Sequence, residues 1–475
     1  MPLPLHKTKI VATIGPASDS PEMLEKLIRA GMDVARLNFS HGEFQGHAAV
    51  IDKIRAAERV TARRVAIMAD LPGPKMRLGR IAPEPITLRS GDLFTLTSED
   101  IIGNAERVSM SFEALPRVVK PGNRLSLNDG LVQIVVESVK GNDVLCRVAA
   151  GGELSSHKGL NLPGIDLGIS AFTDHDRACL AFALEHGVDA ISQSFVERAA
   201  DIAAVREAAS ALGKRPFIIA KVERAGALEH FEEILGAADG VMIARGDLGV
   251  EVPLEEMAIT QKLLTAKAIL AGKPVITATQ MLESMVSNRL PTRAEATDVA
   301  NAILDGTDCV MLSAESAMGA YPVEAVEMLA KIAAFTEPRR PHSTILELHR
   351  LCDNQPHTTA AETMALVVEH AIDSVPCSAV FVPTRTGDTA RMISRFKPVP
   401  WIAAVSHDHG ACQALAFSYG VFPVEVAGYP DDWRAFAKLW LSEQGVAGSG
   451  AMLVAGPSEH HPNDNHRLEF MVLKD

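Results

Sequence analysis

The chain is poor in aromatic residues and in cysteine. Only three tryptophans and three tyrosines occur among 475 residues, and aromatic residues make up 5% of the total. The six cysteines are widely scattered, and no two of them form a Cys-x-x-Cys pair. This usage predicts reduced, mostly buried thiols in a cytoplasmic protein rather than a disulfide framework.

Long apolar runs and a positive charge balance are also missing. No uninterrupted apolar stretch of membrane length occurs, and the first residues lack the apolar core of a signal peptide. The 46 basic and 59 acidic residues give a net charge of −13, which disfavours nonspecific binding of nucleic acid. We therefore expect no membrane partner and no nucleic-acid partner, and any anionic ligand must be held by local cations.

Strand-like and helix-like segments alternate in two blocks, residues 1–70 and 158–340. Pooled, they contain about eight β-branched runs that are each followed by a helical pattern, and eight such units close a (β/α)₈ TIM barrel. An open doubly wound sheet fits similar alternation, but the total of about eight favours the barrel. We predict an α/β fold in which these two blocks form one catalytic barrel.

Two further domains are predicted outside the barrel. Residues 71–157 contain clustered prolines and short alternating segments between Gly and Asn turns, which is typical of a small inserted β-barrel. Residues 341–475 resume an α/β pattern, with strands at Ala379–Val382 and Trp401–Val405 and helices at Leu366–Ala371 and Ala414–Tyr419. This last part is predicted to be a compact C-terminal α/β domain.

Two consecutive strand patterns end abruptly in charge, at Lys221-Val-Glu223 and at Arg245-Gly246-Asp247. A buried strand cannot end in such groups without a specific partner. Two carboxylates at neighbouring strand ends favour Mg²⁺ or Mn²⁺, and the adjacent lysine favours a phosphate-bearing substrate. Taken singly, a strand-end carboxylate is more often a solvated loop residue or a helix cap.

Other strand ends place polar groups at the same mouth, since the loops after barrel strands meet on one face. Arg36 and Lys221 would neutralise a phosphoryl group in transfer, Gly246 permits close backbone approach, and Thr279 is the best-placed hydroxyl for proton relay. Taken alone, an arginine such as Arg36 is more often a surface ion-pair partner than a ligand. The remaining polar groups of this kind are Asn38, Ser40, His41, Asp70, Ser194, Ser313 and Glu315.

Several long motifs resemble those of the pyruvate kinase family. They stand at Lys7–Ser18, Asp33–Gly42, Gly73–Arg77, Lys158–Gly164, Lys221–Glu223, Gly240–Glu251, Gly272–Met285 and Pro291–Val326. The resemblance is dense over residues 7–336 and looser in the last third. It implies transfer of the phosphoryl group of phosphoenolpyruvate to ADP, followed by protonation of the enolate to pyruvate.

The resemblance also implies roles for individual residues. Lys221 would stabilise the phosphoryl group, Glu223 and Asp247 would hold the metal, and Thr279 would lie at the enolate face. The supporting and binding residues implied are Ser313 and Glu315 near the enolate, Arg36 and Ser194 at the substrate phosphate, Ala244, Arg245, Gly246 and Asp247 at the carboxylate, and Asn38, His41, Arg77 and Lys158 at the nucleotide. The inserted domain would close over the nucleotide as a lid and exclude water.

One departure from the family pattern concerns a monovalent cation. Many members carry Glu at the position of Lys75 and need K⁺ beside residues that correspond to Asn38, Ser40, Asp70 and Leu71. An ammonium at Lys75 could take the place of that cation, so we hypothesise that K⁺ is not required.

The resemblance further implies a homotetramer and a phosphorylated effector at Thr384–Thr389. The carboxylate of Asp388 weakens the effector inference, because it places negative charge where a phosphate would bind. A capped turn explains the same glycine-containing loop equally well. Two rival functions stay open at this point: a Mg²⁺-enolate lyase or aldolase on the same barrel, and an inactive relative that senses a metabolite.

Overall fold

The structure is a computed structural model that describes residues 3–340, 347–348, 359–456 and 466–473. Five cysteines lie in this part of the chain and all are free thiols. Four of the five are buried, as predicted, and Cys377 is half-buried. Cys352 lies outside the described residues. Among the described helices, none is both long and apolar enough to cross a membrane.

Eight parallel strands close into one barrel in which each strand pairs with its neighbours around the ring. The predicted TIM barrel is therefore confirmed. The strands are Lys9–Thr13, Met32–Asn38, Ala66–Leu71, Ala190–Gln193, Phe217–Val222, Gly240–Ala244, Val275–Ala278 and Cys309–Leu312. Below they are called the first to the eighth barrel strand.

Helices surround this barrel and pack their apolar faces against it. In Pro21–Ala30, for example, Ser20 caps the amino terminus and Leu24, Leu27 and Ile28 are buried. The other α-helices are Phe44–Thr61, Asp174–Glu185, Ala199–Ala211, Ala225–Glu229, Phe231–Ala237, Arg245–Glu251, Met257–Leu270, Arg293–Leu304, Ala314–Ala317 and Pro322–Thr336. Short 3₁₀ turns occur at Leu254–Glu256, Glu283–Val286 and Glu337–Arg339.

The inserted segment folds into a curled, mixed sheet, as the predicted small β-barrel implies, and bridges from Arg77 to Gly159 and from Leu78 to Met110 connect its two edges. Six strands pair in the order 160–161, 124–127, 132–140, 143–150, 93–97, 107–109. A separate ribbon joins Ile86–Leu88 to Gly152–Leu154, and Leu115–Val118 forms one helical turn. The predicted limits of this domain, residues 71 and 157, stay a prediction.

The C-terminal α/β domain is built on a five-stranded sheet. Its strands run in the order 421–425, 401–406, 379–383, 450–455, 467–472, and only the last is antiparallel to its neighbour. Its helices are Ala360–Ser374, Asp388–Ser394, His409–Ala414 and Trp433–Gln444, with a 3₁₀ turn at Leu415–Phe417.

The predicted helix over Ala414–Tyr419 is wrong. The α-helix ends at Ala414, and the next three residues form a 3₁₀ turn. Phe417 is 1% exposed and stacks on Phe217 at the start of the fifth barrel strand, with 5.3 Å between the ring centroids. The turn places this ring in the floor of the barrel. The local sequence pattern could not predict that contact, because Phe217 lies in a distant part of the chain.

Candidate active site

Lys221 lies at the centre of the mouth formed by the carboxyl ends of the barrel strands. Its ammonium donates to the hydroxyl of Ser194 at 2.7 Å and lies 3.1 Å from Glu223 Oε2 and 3.6 Å from Asp70 Oδ1. Burial alone would lower the pKa of Lys221, but Asp70, Glu223 and Asp247 outweigh burial and raise it. Lys221 is therefore a permanently charged ammonium among three carboxylates.

Arg36 extends the same positive region from the second barrel strand. Its guanidinium donates to Asp70 Oδ2 through Nε at 2.9 Å and Nη2 at 2.5 Å, and to the Thr13 hydroxyl at 2.9 Å. Burial would raise the pKa of Asp70, but Lys221 and Arg36 hold it below its usual range. Arg36 is 8% exposed, so the alternative of a surface ion-pair partner is wrong.

Glu223 presents one carboxylate oxygen without a hydrogen-bond partner. Its Oε1 accepts the backbone N–H of Phe195 at 2.7 Å, whereas Oε2 is buried and contacts only the Lys221 ammonium. Burial raises the pKa of Glu223 above its usual range; the Lys221 ammonium opposes this shift, and the charge of Asp247 adds to it. A buried carboxylate in this state is suited to a further positive partner.

A hard divalent cation fits this donor set. Asp247 is exposed in the first turn of the helix Arg245–Glu251 and acts electrostatically on both Glu223 and Lys221. No cluster of three or more His, Cys, Asp or Glu side chains suited to a metal is found in the described chain. Two carboxylates are still sufficient for Mg²⁺, because this ion usually keeps waters and takes substrate oxygens.

Each loop is numbered here after the barrel strand that it follows. Loops six and seven are joined by the side chains of Arg245 and Thr279. The guanidinium of Arg245 donates to Asp298 at 2.6 Å and to the carbonyl of Thr279 at 2.7 Å, so it braces these loops. The Thr279 hydroxyl accepts the N–H of Gly246 at 2.7 Å and donates to the Ala278 carbonyl at 2.6 Å. The amide predicted to meet a substrate carboxylate is thus bonded to Thr279 in this structure.

The backbone around Thr279 has an uncommon conformation. Thr279 and Gln280 have φ angles of +68° and +54°, in the left-handed region that β-branched residues rarely adopt. Glu315 supports this loop, since its Oε1 accepts the N–H of Leu282 and its Oε2 accepts that of Ser313. Of the predicted pair Ser313 and Glu315, the Glu315 carboxylate therefore connects loop eight to loop seven, and among the described residues it makes no ion pair with Lys221.

The predicted nucleotide residues lie between loop two and the lid. Arg77 donates to the carbonyl of His157 at 2.8 Å, which places it beside the exposed Lys158. The pKa of His41 is lowered by burial and then by Lys75, Arg77 and Arg36, so these cations are close to one another. This side of the mouth is suited to polyanionic groups.

Lys75 lies in the segment that leads from the third barrel strand into the lid, and it is half-buried. Burial, Arg77 and Lys221 lower its pKa to about 8, and Asp70 and Glu223 oppose that shift. The other predicted cation-site residues contribute less side-chain chemistry: Asn38 Oδ1 accepts the N–H of Ser40 at 3.1 Å, and Leu71 is 1% exposed, which leaves its main chain as the possible ligand.

Two residues at this mouth escaped the sequence reasoning. Asp176 is fully buried and accepts the N–H of Gly73, at the entry to the lid, at 2.9 Å. It also forms a capping box with Thr173, a pattern that is visible in sequence as Thr-x-x-Asp before a helix. The second is Phe195, whose backbone N–H donates to the Glu223 carboxylate. No sequence pattern predicts a hydrogen bond that a main-chain group donates.

Comparison with known proteins agrees with this geometry. The model of the pyruvate kinase barrel domain matches residues 5–326, and that of the pyruvate kinase alpha/beta domain matches residues 362–461. A pyruvate kinase from Thermococcus litoralis is 51% identical over 424 residues, which cover 89% of each chain. One from Clostridium acetobutylicum is 39% identical over 476 residues and covers 99% of this chain and 100% of the relative.

A solved structure gives the same result in three dimensions. The crystal structure of a pyruvate kinase from Cryptosporidium parvum superposes with a TM-score of 0.92 at 33% identity, covering 99% of this chain and 97% of the other. Both family models, these relatives and the shared fold point to one family. The chain belongs to the pyruvate kinase family (EC 2.7.1.40), the glycolytic enzymes that form pyruvate and ATP from phosphoenolpyruvate and ADP.

Proposed function

We propose that this enzyme transfers the phosphoryl group with Mg²⁺ or Mn²⁺ and without K⁺. The transfer takes place at the Lys221 cluster, which comprises Lys221, Arg36, Asp70, Ser194 and Glu223. The observation that carries the proposal is the buried ammonium of Lys221, which Ser194, Glu223 and Asp70 hold at distances of 2.7, 3.1 and 3.6 Å. Preorganised positive charge at the point where a phosphoryl group transfers is the main electrostatic requirement of such a reaction.

The side chains divide the work as follows. Lys221 and Arg36 neutralise the oxygens of the transferring group, and Ser194 orients the ammonium. Glu223 and Asp247 would hold the divalent cation, which when bound neutralises phosphate charge and fixes the substrate oxygens. Asp70 keeps both cations aimed into the mouth, because it accepts from Arg36 and faces Lys221.

Protonation of the enolate is assigned to the Thr279 side of the mouth. Its hydroxyl can exchange the bond that it makes to the Ala278 carbonyl for one to a proton-carrying group. The backbone of Ala244, Arg245, Gly246 and Asp247 is proposed to receive the substrate carboxylate. For that contact, the Gly246 N–H must give up its hydrogen bond to the Thr279 hydroxyl and donate to the substrate carboxylate instead.

Independence from K⁺ rests on the position of Lys75. Its ammonium interacts electrostatically with Asp70, a residue of the predicted K⁺ site, and with Glu223 of the proposed divalent-cation site. A charge of +1 at this position would serve where many relatives need a bound K⁺. Asn38, Ser40 and Leu71 would then line the place of the ion without binding one.

The two rival functions are less well supported. A lyase or aldolase on this barrel needs neither a lid nor the cationic nucleotide side formed by Arg77 and Lys158. An inactive sensor would not need to retain Lys221, Glu223, Asp247 and Thr279, and all four are present.

A coupled assay distinguishes these possibilities. Pyruvate formation from phosphoenolpyruvate should require both ADP and Mg²⁺ and should proceed when K⁺ is replaced by tetramethylammonium. A lyase would act on its substrate without ADP, and a sensor would show no turnover. Either result would overturn the proposal.

We further propose an effector site, a state of assembly and a location in the cell. At Thr384–Thr389, Thr384 accepts the N–H of Gly387, while Asp388 accepts from Thr386 and Arg391. The loop thus satisfies its own polar groups, and a phosphorylated effector would have to displace these bonds. A homotetramer and a cytoplasmic location follow from the family resemblance and from the free thiols.

A further inference from the structure

Phe195 connects the lid to the carboxylate of Glu223. Its backbone N–H donates to Glu223 Oε1 at 2.7 Å, and its ring packs against the lid core, the buried apolar cluster between Met76 and Leu167. Among the described residues, Phe195 alone joins that cluster from beyond position 167. One residue therefore touches both the lid core and a candidate metal ligand.

The chain enters the lid at Gly73, and this entry, called the hinge below, lies against the Phe195 ring. Gly73 has φ +65° and lies between Pro72 and Pro74, and a Cβ added there would come within 2.8 Å of Phe195 Cδ2 and 3.2 Å of the Ser194 carbonyl. Asp176 holds the Gly73 N–H from below at 2.9 Å. A rotation of the chain at Gly73 must therefore move the Phe195 ring or lose contact with it.

The conformation of Phe195 shows that its position is imposed by its surroundings. Its φ angle is +59°, in the left-handed region that a bulky residue adopts only when its surroundings hold it there. The ring contact with the lid and the bond to Glu223 are the interactions available to hold it there. Loss of the ring contact should release the backbone and with it the N–H that orients Glu223.

We propose that Phe195 is a positioning residue that couples the hinge of the lid to the orientation of Glu223. The proposal rests on the proposed role of Glu223 as a metal ligand. When the hinge turns, the ring and the backbone of Phe195 move together, and the carboxylate follows. Metal affinity and lid position are then linked, so that the cation is held best when the lid is placed for catalysis.

Mn²⁺ binding to the enzyme, measured without substrate by the electron paramagnetic resonance signal of the free ion, tests this coupling. Phe195→Ala should raise the dissociation constant of Mn²⁺ about 10-fold, the lower end of the effect of removing a group that orients a metal ligand. Phe195→Tyr keeps the ring and should bind Mn²⁺ as the wild-type enzyme does. Phe112→Ala removes another buried ring of the lid core, and it should leave the constant near the wild-type value.

An unchanged constant in Phe195→Ala, or an equal change in Phe112→Ala, would overturn the coupling. If Phe195→Ala does not fold, Gly73→Ala disturbs the same contact from the hinge and should also weaken Mn²⁺ binding. Glu223→Gln separates this result from the proposed function. If Glu223→Gln binds Mn²⁺ normally, the metal site itself is assigned wrongly; if it binds poorly while Phe195→Ala is normal, only the coupling fails.

Discussion

At the scale of residues, opposite charges are buried together at the mouth of the barrel, and their balance decides what the site can do. Lys221 and Arg36 are the cations, and Asp70 and Glu223 are the carboxylates nearest to them. Both cations are fixed by hydrogen bonds, so little reorganisation is needed when a phosphoryl group arrives. Removing one cation leaves buried carboxylates without a counter-charge. Such a change costs more free energy than replacing a whole buried ion pair by apolar residues.

Lys221→Met should therefore lower kcat about 100- to 1,000-fold, the range found when one preorganised electrostatic contact is lost. Mn²⁺ should still bind, because Glu223 and Asp247 remain. The measurement is the coupled assay together with Mn²⁺ binding. The exposed Lys214 provides the control as Lys214→Met, which should behave as wild type. Near-normal turnover in Lys221→Met would contradict its assigned role.

The second prediction at this scale concerns pH and Lys75. Burial and the neighbouring Arg77 and Lys221 lower the pKa of Lys75 to about 8, while Asp70 and Glu223 oppose the shift. The side chain is therefore charged below pH 8 and becomes neutral as the pH rises through that value. At pH 9 about one molecule in ten keeps the charge.

Stimulation of kcat/KM by KCl should thus be absent near pH 7 and appear above pH 8. This ratio reports the free enzyme, to which the pKa applies. Ionic strength is held constant with tetramethylammonium chloride. A stimulation that is the same at pH 7 and pH 9 would show that Lys75 does not provide the charge.

At the scale of elements, the barrel strands supply positions and the loops supply connections. The ends of the fifth and sixth strands could be read from sequence, because apolar runs that stop at Lys221 and Arg245 are local patterns. The bond of Glu315 to Leu282 could not, because it joins two loops that only the closed barrel brings together. For the same reason the pattern identified Arg245 as a site residue but not that its guanidinium braces Thr279.

The bracket between loops seven and eight gives a prediction of its own. Glu315→Gln keeps one acceptor but turns an amide NH₂ toward a backbone N–H, which should cost about 1–3 kcal/mol. Because the bracket supports the loop that carries Thr279, kcat/KM for phosphoenolpyruvate should fall while Mn²⁺ binding is retained. The exposed neighbour Glu283, changed to Gln, is the control and should leave kcat/KM unaltered. Parallel loss in both variants would argue against the bracket.

At the scale of the whole molecule, the C-terminal domain closes the floor of the barrel. Phe417 enters the cluster formed by inward side chains of the strands, and Cys309 donates to its carbonyl at 3.2 Å. Lys397 donates to Asp308 Oδ1 at 2.5 Å, and both side chains are buried. The sequence predicted the domain and the barrel, but a contact between distant segments such as these has no local signature.

This floor should control the stability of the enzyme more than its chemistry. Asp308→Asn leaves the Lys397 ammonium buried without its counter-charge, which should destabilise the fold by about 3–5 kcal/mol. The double variant Asp308→Asn with Lys397→Met should recover part of that loss, because no unpaired charge remains. Thermal unfolding of the wild type, Asp308→Asn, Lys397→Met and the double variant is the measurement. A double variant that is destabilised by the sum of the single effects would disprove the pairing.

The central claim is that the Lys75 ammonium supplies, at the mouth of the barrel, the positive charge that many related enzymes obtain from a bound K⁺. It is tested most directly by the rate of pyruvate formation at pH 7, with KCl or with tetramethylammonium chloride at equal ionic strength. The wild-type enzyme should show the same rate in both salts, and Lys75→Glu should be active only in KCl. Loss of wild-type activity in tetramethylammonium chloride would contradict the claim.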